Sequence, residues 1–238
     1  MNTSKTIIII PTYNEKENVV KMTQAIMGLN LELSILFVDD NSPDGTSRLI
    51  SGLVEKFPDR VFLESREEKQ GLGTAYIHGF KWALKRNYDY VFEMDCDFSH
   101  APEDIIRLKS ACEQGADLAI GSRYCKGGKV KNWPFKRIMM SYLASIYVRM
   151  ILWIPIKDTT AGFKCYKAKV LETINLDQVT FKGYAFQICM KYAALKHRFK
   201  VVEVPIVFID RLHGESKMSA GIFKEAILGV WKMRKMNL

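Results

Sequence analysis

Thr6-Ile7-Ile8-Ile9-Ile10, running directly into Pro11-Thr12-Tyr13-Asn14-Glu15, is the stretch that decides the fold. Four consecutive isoleucines are apolar on both faces, as a strand of a parallel sheet covered by helices on each side must be. The run is too short for a secretory leader and meets Pro11 without a small-residue cleavage site, so a strand is expected. The same signature recurs at 35–38, 61–63, 90–94 and 118–120, each run closed by polar, Gly or Pro residues. Between these runs, 15–29, 44–57, 74–86 and 102–113 are each long enough for a crossover helix, the last opening with Pro102 near its first turn. This alternation predicts an α/β doubly wound sheet through about residue 122. Ligands in such sheets bind beyond the carboxyl ends of the strands.

The composition agrees with a folded protein. A chain of 238 residues with 48% apolar and 26% charged residues, 15 Gly and 7 Pro excludes a disordered or fibrous polymer. Lys and Arg outnumber Asp and Glu by 35 to 26, a net charge of +9 that points to anionic partners: nucleic acid, phosphorylated small molecules or a lipid surface. Cys96, Cys112, Cys125, Cys165 and Cys189 include no Cys-x-x-Cys pair and no His at zinc spacing, which suits reduced thiols in a cytoplasmic protein.

After Tyr124 the rhythm changes to a loop rich in Gly, Lys, Trp and Pro, then a long apolar stretch at 138–156 and a strand-like 201–209. The apolar stretch has Arg149 as its one charge, and a central Arg costs about 2.5–3.5 kcal/mol on insertion scales. A buried or membrane-apposed helix is therefore expected there, not a span. From Ala220 onward, Ile222, Phe223, Ala226, Ile227, Val230 and Trp231 fall on one stripe with Lys224, Lys232, Arg234 and Lys235 elsewhere, which predicts a C-terminal amphipathic helix at 220–238 suited to a membrane surface.

Polar clusters sit where the strands end. Pro11–Glu15 follows the first run, Asp39-Asp40-Asn41-Ser42-Pro43-Asp44-Gly45 the second and Asp95-Cys96-Asp97 the fourth, so three acidic loops share one edge of the sheet. Like charges brought together cost free energy unless a cation or donor-rich ligand resolves them, and a divalent metal with a nucleoside diphosphate does so economically. Asp39-Asp40 can also be read as an N-cap and turn. Arg123 follows the fifth run, with Arg137, Arg211 and Lys217 downstream; Arg suits phosphate oxygens, although a surface ion pair would use the same residue. Gly71-Leu72-Gly73 begins like a dinucleotide fingerprint but lacks the third glycine, and reads as a tight junction between loop and helix. His100 reads as a surface residue or a support for the carboxylates.

The Pro11–Glu15 block, Val38-Asp39-Asp40 through Thr46, and Asp95-Cys96-Asp97 resemble the family 2 glycosyltransferases of GT-A fold. Gly121-Ser122-Arg123-Tyr124, Gly127-Gly128 with Asn132-Trp133-Pro134 and Arg137, Ala161-Gly162-Phe163, and Val204-Pro205 through Arg211, Gly214, Ser216 and Lys217 are similar to the polyprenol-phosphate (dolichol-phosphate) mannose synthases. The resemblance implies a GT-A, Rossmann-like, mostly parallel sheet flanked by helices in one domain at 1–219, with a nucleotide-sugar half at 1–122 and an acceptor half at 123–219. It implies that Pro11, Tyr13, Glu15, Val38 and Asp40 hold the guanosine part of GDP-mannose. Asp95, Cys96 and Asp97 would face the diphosphate, with Asp97 and Ser99 nearest a Mg²⁺ or Mn²⁺ ion. Arg123 and Arg137 would bind the acceptor lipid phosphate, and Arg211 and Lys217 would close over the donor. Two departures stand out: Cys96 replaces the usual Ala, and Ser99 stands where some members carry Gln.

The implied reaction needs no general base. A lipid monophosphate has a second pKa of about 6 and is largely a dianion at neutral pH. The enzyme must instead hold two anions on opposite faces of one sugar carbon, and in-line attack would invert the linkage to a β-mannosyl phosphate. Competing readings are a UDP-glucose-dependent polyprenyl-phosphate glucosyltransferase and a sugar-nucleotide nucleotidyltransferase, the latter usually carrying a basic Gly-rich loop where this chain has Pro11–Glu15. Nucleic acid is not expected as a partner, since no RNP-like strand or zinc-finger spacing occurs. The expected location is the cytoplasmic face of a membrane, held peripherally.

Overall fold

The computed structural model describes residues 4–210, 220–236 and 238. Its strands are β1 (Thr6–Thr12), β2 (Ser34–Asp39), β3 (Val61–Ser65), β4 (Tyr90–Glu93), β5 (Leu118–Ser122), β6 (Lys129–Lys131), β7 (Lys164–Lys167), β8 (Val201–Pro205) and β9 (Val207–Ile209). The helices are α1 (Val19–Met27), α2 (Thr46–Lys56), α3 (Leu72–Leu84), α4 (Asp104–Glu113), α5 (Phe135–Leu152), α6 (Ala168–Thr173), α7 (Tyr184–Lys196) and α8 (Ala220–Met233). Seven strands form one sheet in the order β3-β2-β1-β4-β7-β5-β8, while β6 and β9 make a separate two-stranded ribbon.

The isoleucine run behaves as its sequence requires. Ile7, Ile8, Ile9 and Ile10 are all fully buried. Alternation across the pleat sends Ile7 and Ile9 into the core shared with α3 and α7, and Ile8 and Ile10 into the core shared with α1, α2 and α4. At about 1.5–3 kcal/mol for each such side chain, this strand is a main anchor of both layers. Because β1 pairs in parallel with β2 on one side and β4 on the other, the order reverses there, and a crevice opens beyond the carboxyl ends of those strands.

The predicted strands and crossover helices of 1–122 are all present, and the second half holds the differences. β7 enters the middle of the sheet, antiparallel to both β4 and β5. The stretch 201–209 divides at Pro205 and Ile206: β8 pairs with β5 in the main sheet and β9 with β6 in the ribbon. A proline has no N–H to give to a ladder, which makes it a natural place for the chain to change sheets.

The apolar helix α5 begins at Phe135, earlier than the hydrophobic run suggests, and stops where Trp153 adopts a left-handed conformation (φ 55°). Its C-terminal half is buried through Ser145, Val148, Ile151 and Leu152, while Met139, Met140, Tyr142, Leu143 and Met150 stay exposed. No helix among the described residues is long and apolar enough to cross a membrane. Helix α8 is present. Of the predicted stripe, Ile227 and Trp231 are exposed, as a surface-facing stripe would be, whereas Val230 is buried together with Met233; the side chains of Ile222, Phe223 and Ala226 lie outside those described.

Candidate active site

Beyond the ends of β1, β2, β4 and β5 lies a cavity of about 320 Å³. Pro11, Tyr13 and Glu15 line it from the loop after β1, Asp40 from the loop after β2, Asp95, Cys96, Asp97 and Ser99 from the loop after β4, with Arg123 and Arg137 opposite. Val38 does not line it; its side chain is fully buried in the core shared with α3 and α7. Arg211 and Lys217 lie outside the described residues.

Each acidic loop turns on a left-handed residue: Asn14 (φ 57°), Asn41 (φ 55°) and Phe98 (φ 60°). Asparagine adopts this conformation at small cost, whereas an aromatic residue there is strained by roughly 1–3 kcal/mol, and the strained one sits beside Asp97. The neighbours Asp39 and Asp40 divide their tasks. Asp39 is fully buried and accepts hydrogen bonds from Thr12 Oγ1 (2.8 Å), Ser42 N (2.9 Å), Ser42 Oγ (2.6 Å) and Ser47 Oγ, so it builds the loop as the turn-and-cap reading supposes. Asp40 lines the cavity and receives Arg66 Nε at 2.6 Å. Burial lifts its carboxyl above the ordinary range even with Arg66 beside it.

After β4, Asp97 Oδ1 accepts the Ser99 N–H at 3.1 Å, and Tyr76 donates to Asp95 Oδ1 at 3.4 Å. His100 is buried under this loop and is not a surface residue. Its Nδ1 faces the Asp95 N–H at 3.3 Å, its ring stacks on Phe163, and burial pushes the imidazole down to about 4. It is therefore neutral near pH 7, an acceptor that fixes the loop. No three His, Cys, Asp or Glu side chains converge as a closed metal cage among the described residues. A hard divalent cation does not require one, because it is commonly held by one or two carboxylates with substrate phosphates and water completing its shell. Asp95 and Asp97 fit that pattern. The Ser99 hydroxyl between them and His100 is buried without a hydrogen-bond partner, an oxygen of the right kind still to be used.

Arg123 and Arg137 differ in kind. Arg123 is buried and gives Nε and Nη2 to Asp158 at 2.7 and 2.6 Å, with Nη2 also on Thr160 Oγ1 at 2.8 Å. Burial works against its charge, but Asp158 more than compensates and raises its pKa; the same guanidinium holds Asp158 below the carboxylate range in spite of burial. Arg137 is about 29% exposed, meets Asp210 at 3.1 Å and stacks over Trp133 at 3.9 Å. Breaking a buried pair costs about 3–5 kcal/mol, whereas exposed pairs contribute about 0–1 kcal/mol. The Arg137–Asp210 pair is therefore the more readily exchanged of the two.

A second, apolar cavity of about 330 Å³ adjoins the first and shares Arg123, Trp133, Arg137, Thr160 and Tyr184 with it. Met140, Leu143, Val148, Ile188 and Ile227 form its walls, between α5, α7 and α8. Two guanidinium groups thus stand at the junction of a polar chamber and an apolar one.

Arg66 and Asp158 had no part in the sequence reading. Arg66 directly follows β3, whose end could have marked it; Asp158 carries no local signal, since its partner is 35 positions away. The Gly71-Leu72-Gly73 segment is a close approach: a Cβ on Gly73 would stand 2.2 Å from the Phe181 carbonyl oxygen, so α3 starts hard against the loop that precedes α7.

Comparison with known proteins adds independent support. The model of Glycosyl transferase family 2 matches residues 7–174. The polyprenol monophosphomannose synthase of Mycolicibacterium smegmatis is 48% identical, over 98% of this chain and 88% of its own length. The undecaprenyl-phosphate mannosyltransferase of Micrococcus luteus is 44% identical over 95% of this chain and 92% of its own. The dolichol-phosphate mannosyltransferase of Pyrococcus furiosus is 40% identical over 97% of this chain and 64% of its own. In fold the chain is similar to glucosyl-3-phosphoglycerate synthase from Mycobacterium tuberculosis, solved with Mn²⁺, UDP-glucose and phosphoglyceric acid, with a TM-score of 0.71 at 15% identity over 100% of this chain and 81% of that one. A family model covering most of the chain, and relatives of this identity over nearly all of it, lead to one conclusion: the chain belongs to glycosyl transferase family 2, among the polyprenol-phosphate mannose synthases.

Proposed function

We propose that this protein transfers mannose from GDP-mannose to a polyprenyl phosphate with inversion, giving polyprenyl phosphate β-mannose. The observation that carries the reading is the pair of joined cavities: an acidic chamber at the sheet's switch point and an apolar groove, meeting at Arg123 and Arg137. In this reading, Pro11, Tyr13, Glu15 and Asp40 receive the nucleoside, and the apolar groove receives the first isoprene units. Arg137 exchanges Asp210 for the acceptor phosphate, a charge-assisted contact of about 1.5–3 kcal/mol that outweighs an exposed ion pair. Arg123, already balanced by Asp158, adds shape and a fixed wall. The acceptor is its own nucleophile as a dianion, which agrees with a buried, neutral His100 that supplies no base. Asp95 and Asp97, with Ser99 beside them, would hold Mg²⁺ or Mn²⁺, and such an ion neutralises charge on a departing diphosphate. The nucleotide-sugar half is 1–122 and the acceptor half 123–219. Met139, Tyr142, Leu143 and Met150 of α5, with Leu228 and Trp231 of α8, are exposed apolar residues suited to peripheral contact with the cytoplasmic face of a membrane.

The test is incubation with GDP-mannose or UDP-glucose, a short polyprenyl phosphate and Mg²⁺ or Mn²⁺, with the lipid product measured. A mannosylated lipid formed from GDP-mannose is the expected result. Glucolipid from UDP-glucose alone would change the donor, and no lipid product with either would refute the assignment.

A further inference from the structure

Beneath the acidic chamber runs a buried polar chain that the transfer scheme leaves unused. Glu93 on β4 and Lys164 on β7 are both fully buried, with Nζ 3.0 Å from Glu93 Oε2. The other carboxylate oxygen accepts the Tyr166 hydroxyl at 2.6 Å. Lys164 Nζ also donates to Oε1 of Gln187 on α7. One helical turn further, Lys191 Nζ donates to the carbonyl oxygens of Thr159 (2.9 Å) and Ala161 (2.6 Å), fixing the backbone that leads to Gly162.

This chain settles which way the Gln187 amide faces. A lysine ammonium has donors only, so Gln187 must offer it Oε1, and Nε2 is turned to the opposite side. There Nε2 is buried and has no hydrogen-bond partner, although Gln187 is only 2% exposed and borders the acidic chamber. A buried donor left unsatisfied is costly, and native proteins seldom keep one without a use. Its position is informative. A Cβ on Gly162 would stand 3.7 Å from Nε2, 3.7 Å from His100 Cε1 and 3.8 Å from Asp95 Oδ2. The glycine therefore keeps open the space between the orphaned donor and a carboxylate expected to face the diphosphate. The nucleoside residues lie toward Tyr13 and Glu15, and the acceptor guanidinium at Arg137. What lies between a diphosphate and an acceptor phosphate is the sugar.

We propose that Gln187 Nε2 donates a hydrogen bond to one hydroxyl oxygen of the transferred hexose, and that Lys164, held by Glu93, is the positioning residue that orients it. The inference rests on the sugar-transfer reading above. It makes Gln187 a determinant of which hexose is accepted, because a site that pairs a buried donor with a substrate hydroxyl penalises an analogue lacking it.

Gln187→Met keeps the length and removes the donor; Gln187→Leu removes it as well and offers no oxygen to accept the proton of the hydroxyl. For each folded variant, calorimetry in Mg²⁺ would give affinities for the nucleoside diphosphate and the sugar nucleotide. Transfer would be followed with whichever donor the wild-type protein uses and with its 2-, 3-, 4- and 6-deoxy forms. Both variants are expected to bind the bare nucleotide within about 2-fold of wild type and to lose about 10-fold to 100-fold in kcat/KM with the full donor, the range of one charge-free hydrogen bond left unpaired. The wild type should discriminate against one deoxy donor by a similar factor, and both variants should be indifferent at that hydroxyl alone while keeping discrimination at the others. Lys164→Met combined with Glu93→Gln, which removes both charges of that pair together, should weaken the same discrimination. Variants that keep the wild-type pattern across all four deoxy donors, or lose nucleotide affinity as much as sugar-nucleotide affinity, would overturn the proposal while leaving the transfer reading intact. A wild-type protein that binds sugar nucleotide no differently from bare nucleotide and transfers nothing would overturn both.

Discussion

Asp97 and Arg137 line the cavity and Asp158 lies buried behind Arg123, so removing each should have a different signature. Asp97 accepts the Ser99 N–H, which an amide oxygen can also accept. Asp97→Asn should therefore keep the thermal unfolding midpoint close to wild type while transfer falls by orders of magnitude; a folded variant with near-normal turnover would remove Asp97 from the mechanism. Arg137→Ala should abolish transfer yet leave GDP-mannose affinity, measured by calorimetry, within a few-fold, since the contact proposed for it is with the acceptor phosphate. Asp158 tells on stability. Its carboxyl is held low in the folded state, so its contribution is fully present above the unfolded value of about 3.9 and is lost as pH falls through the depressed native value. Asp158→Asn should lower the unfolding midpoint at pH 7 and flatten its decline in acid, which a series of melts from pH 6 to pH 2 would record. A parallel curve displaced by a constant amount would contradict this account.

At the scale of elements, α8 is both a structural and an exposed piece. Val230 and Met233 are buried, and Glu225 accepts the backbone N–H groups of Lys182 (2.9 Å) and Gly183 (3.2 Å), just before α7 begins. Removing 220–238 would expose that core, so the discriminating variant is confined to the outer face. Leu228 and Trp231 changed together to Ser should leave the fold intact, lower co-sedimentation with anionic vesicles and slow transfer to long-chain acceptors more than to short ones. Unaltered vesicle binding would assign membrane contact to α5. The helix itself was legible in the sequence, as were β1 to β5, because period-3.6 and all-apolar patterns need no distant partner to be read. Its docked face was not: Val230 and Trp231 are both apolar, and only the presence of α7 decides which of them is covered. β7 was hidden for a related reason, since Lys164-Cys165-Tyr166-Lys167 has two lysines in four residues, and Lys164 is tolerated inside only because Glu93 waits on the neighbouring strand. The residues on strand ends (Asp40, Asp95, Asp97, Arg123) were found because a switch point gathers whatever follows the strands. Asp158 and Gln187 escaped because their partners are remote in sequence.

For the molecule as a whole, a net charge of +9 should make association with anionic membranes depend on salt. Raising ionic strength from about 0.1 to about 1 M shortens the Debye length from about 10 to about 3 Å, and vesicle binding should fall steeply over that range while binding through apolar residues alone would persist. The antiparallel insertion of β7 has a consequence for how the protein is born. β4 and β5 are not paired with each other; each is joined to β7, and β8 then flanks β5. A ribosome delivers β4 and β5 while the strand that must part them is still being translated. The emerging chain has two open strand edges at the very place where the Asp95–Asp97 loop belongs, and pairing them directly would be a trap. A fragment ending at residue 122 should accordingly show no cooperative melt, and the nascent protein should gain protease resistance only once the codons for β7 and β8 have been read.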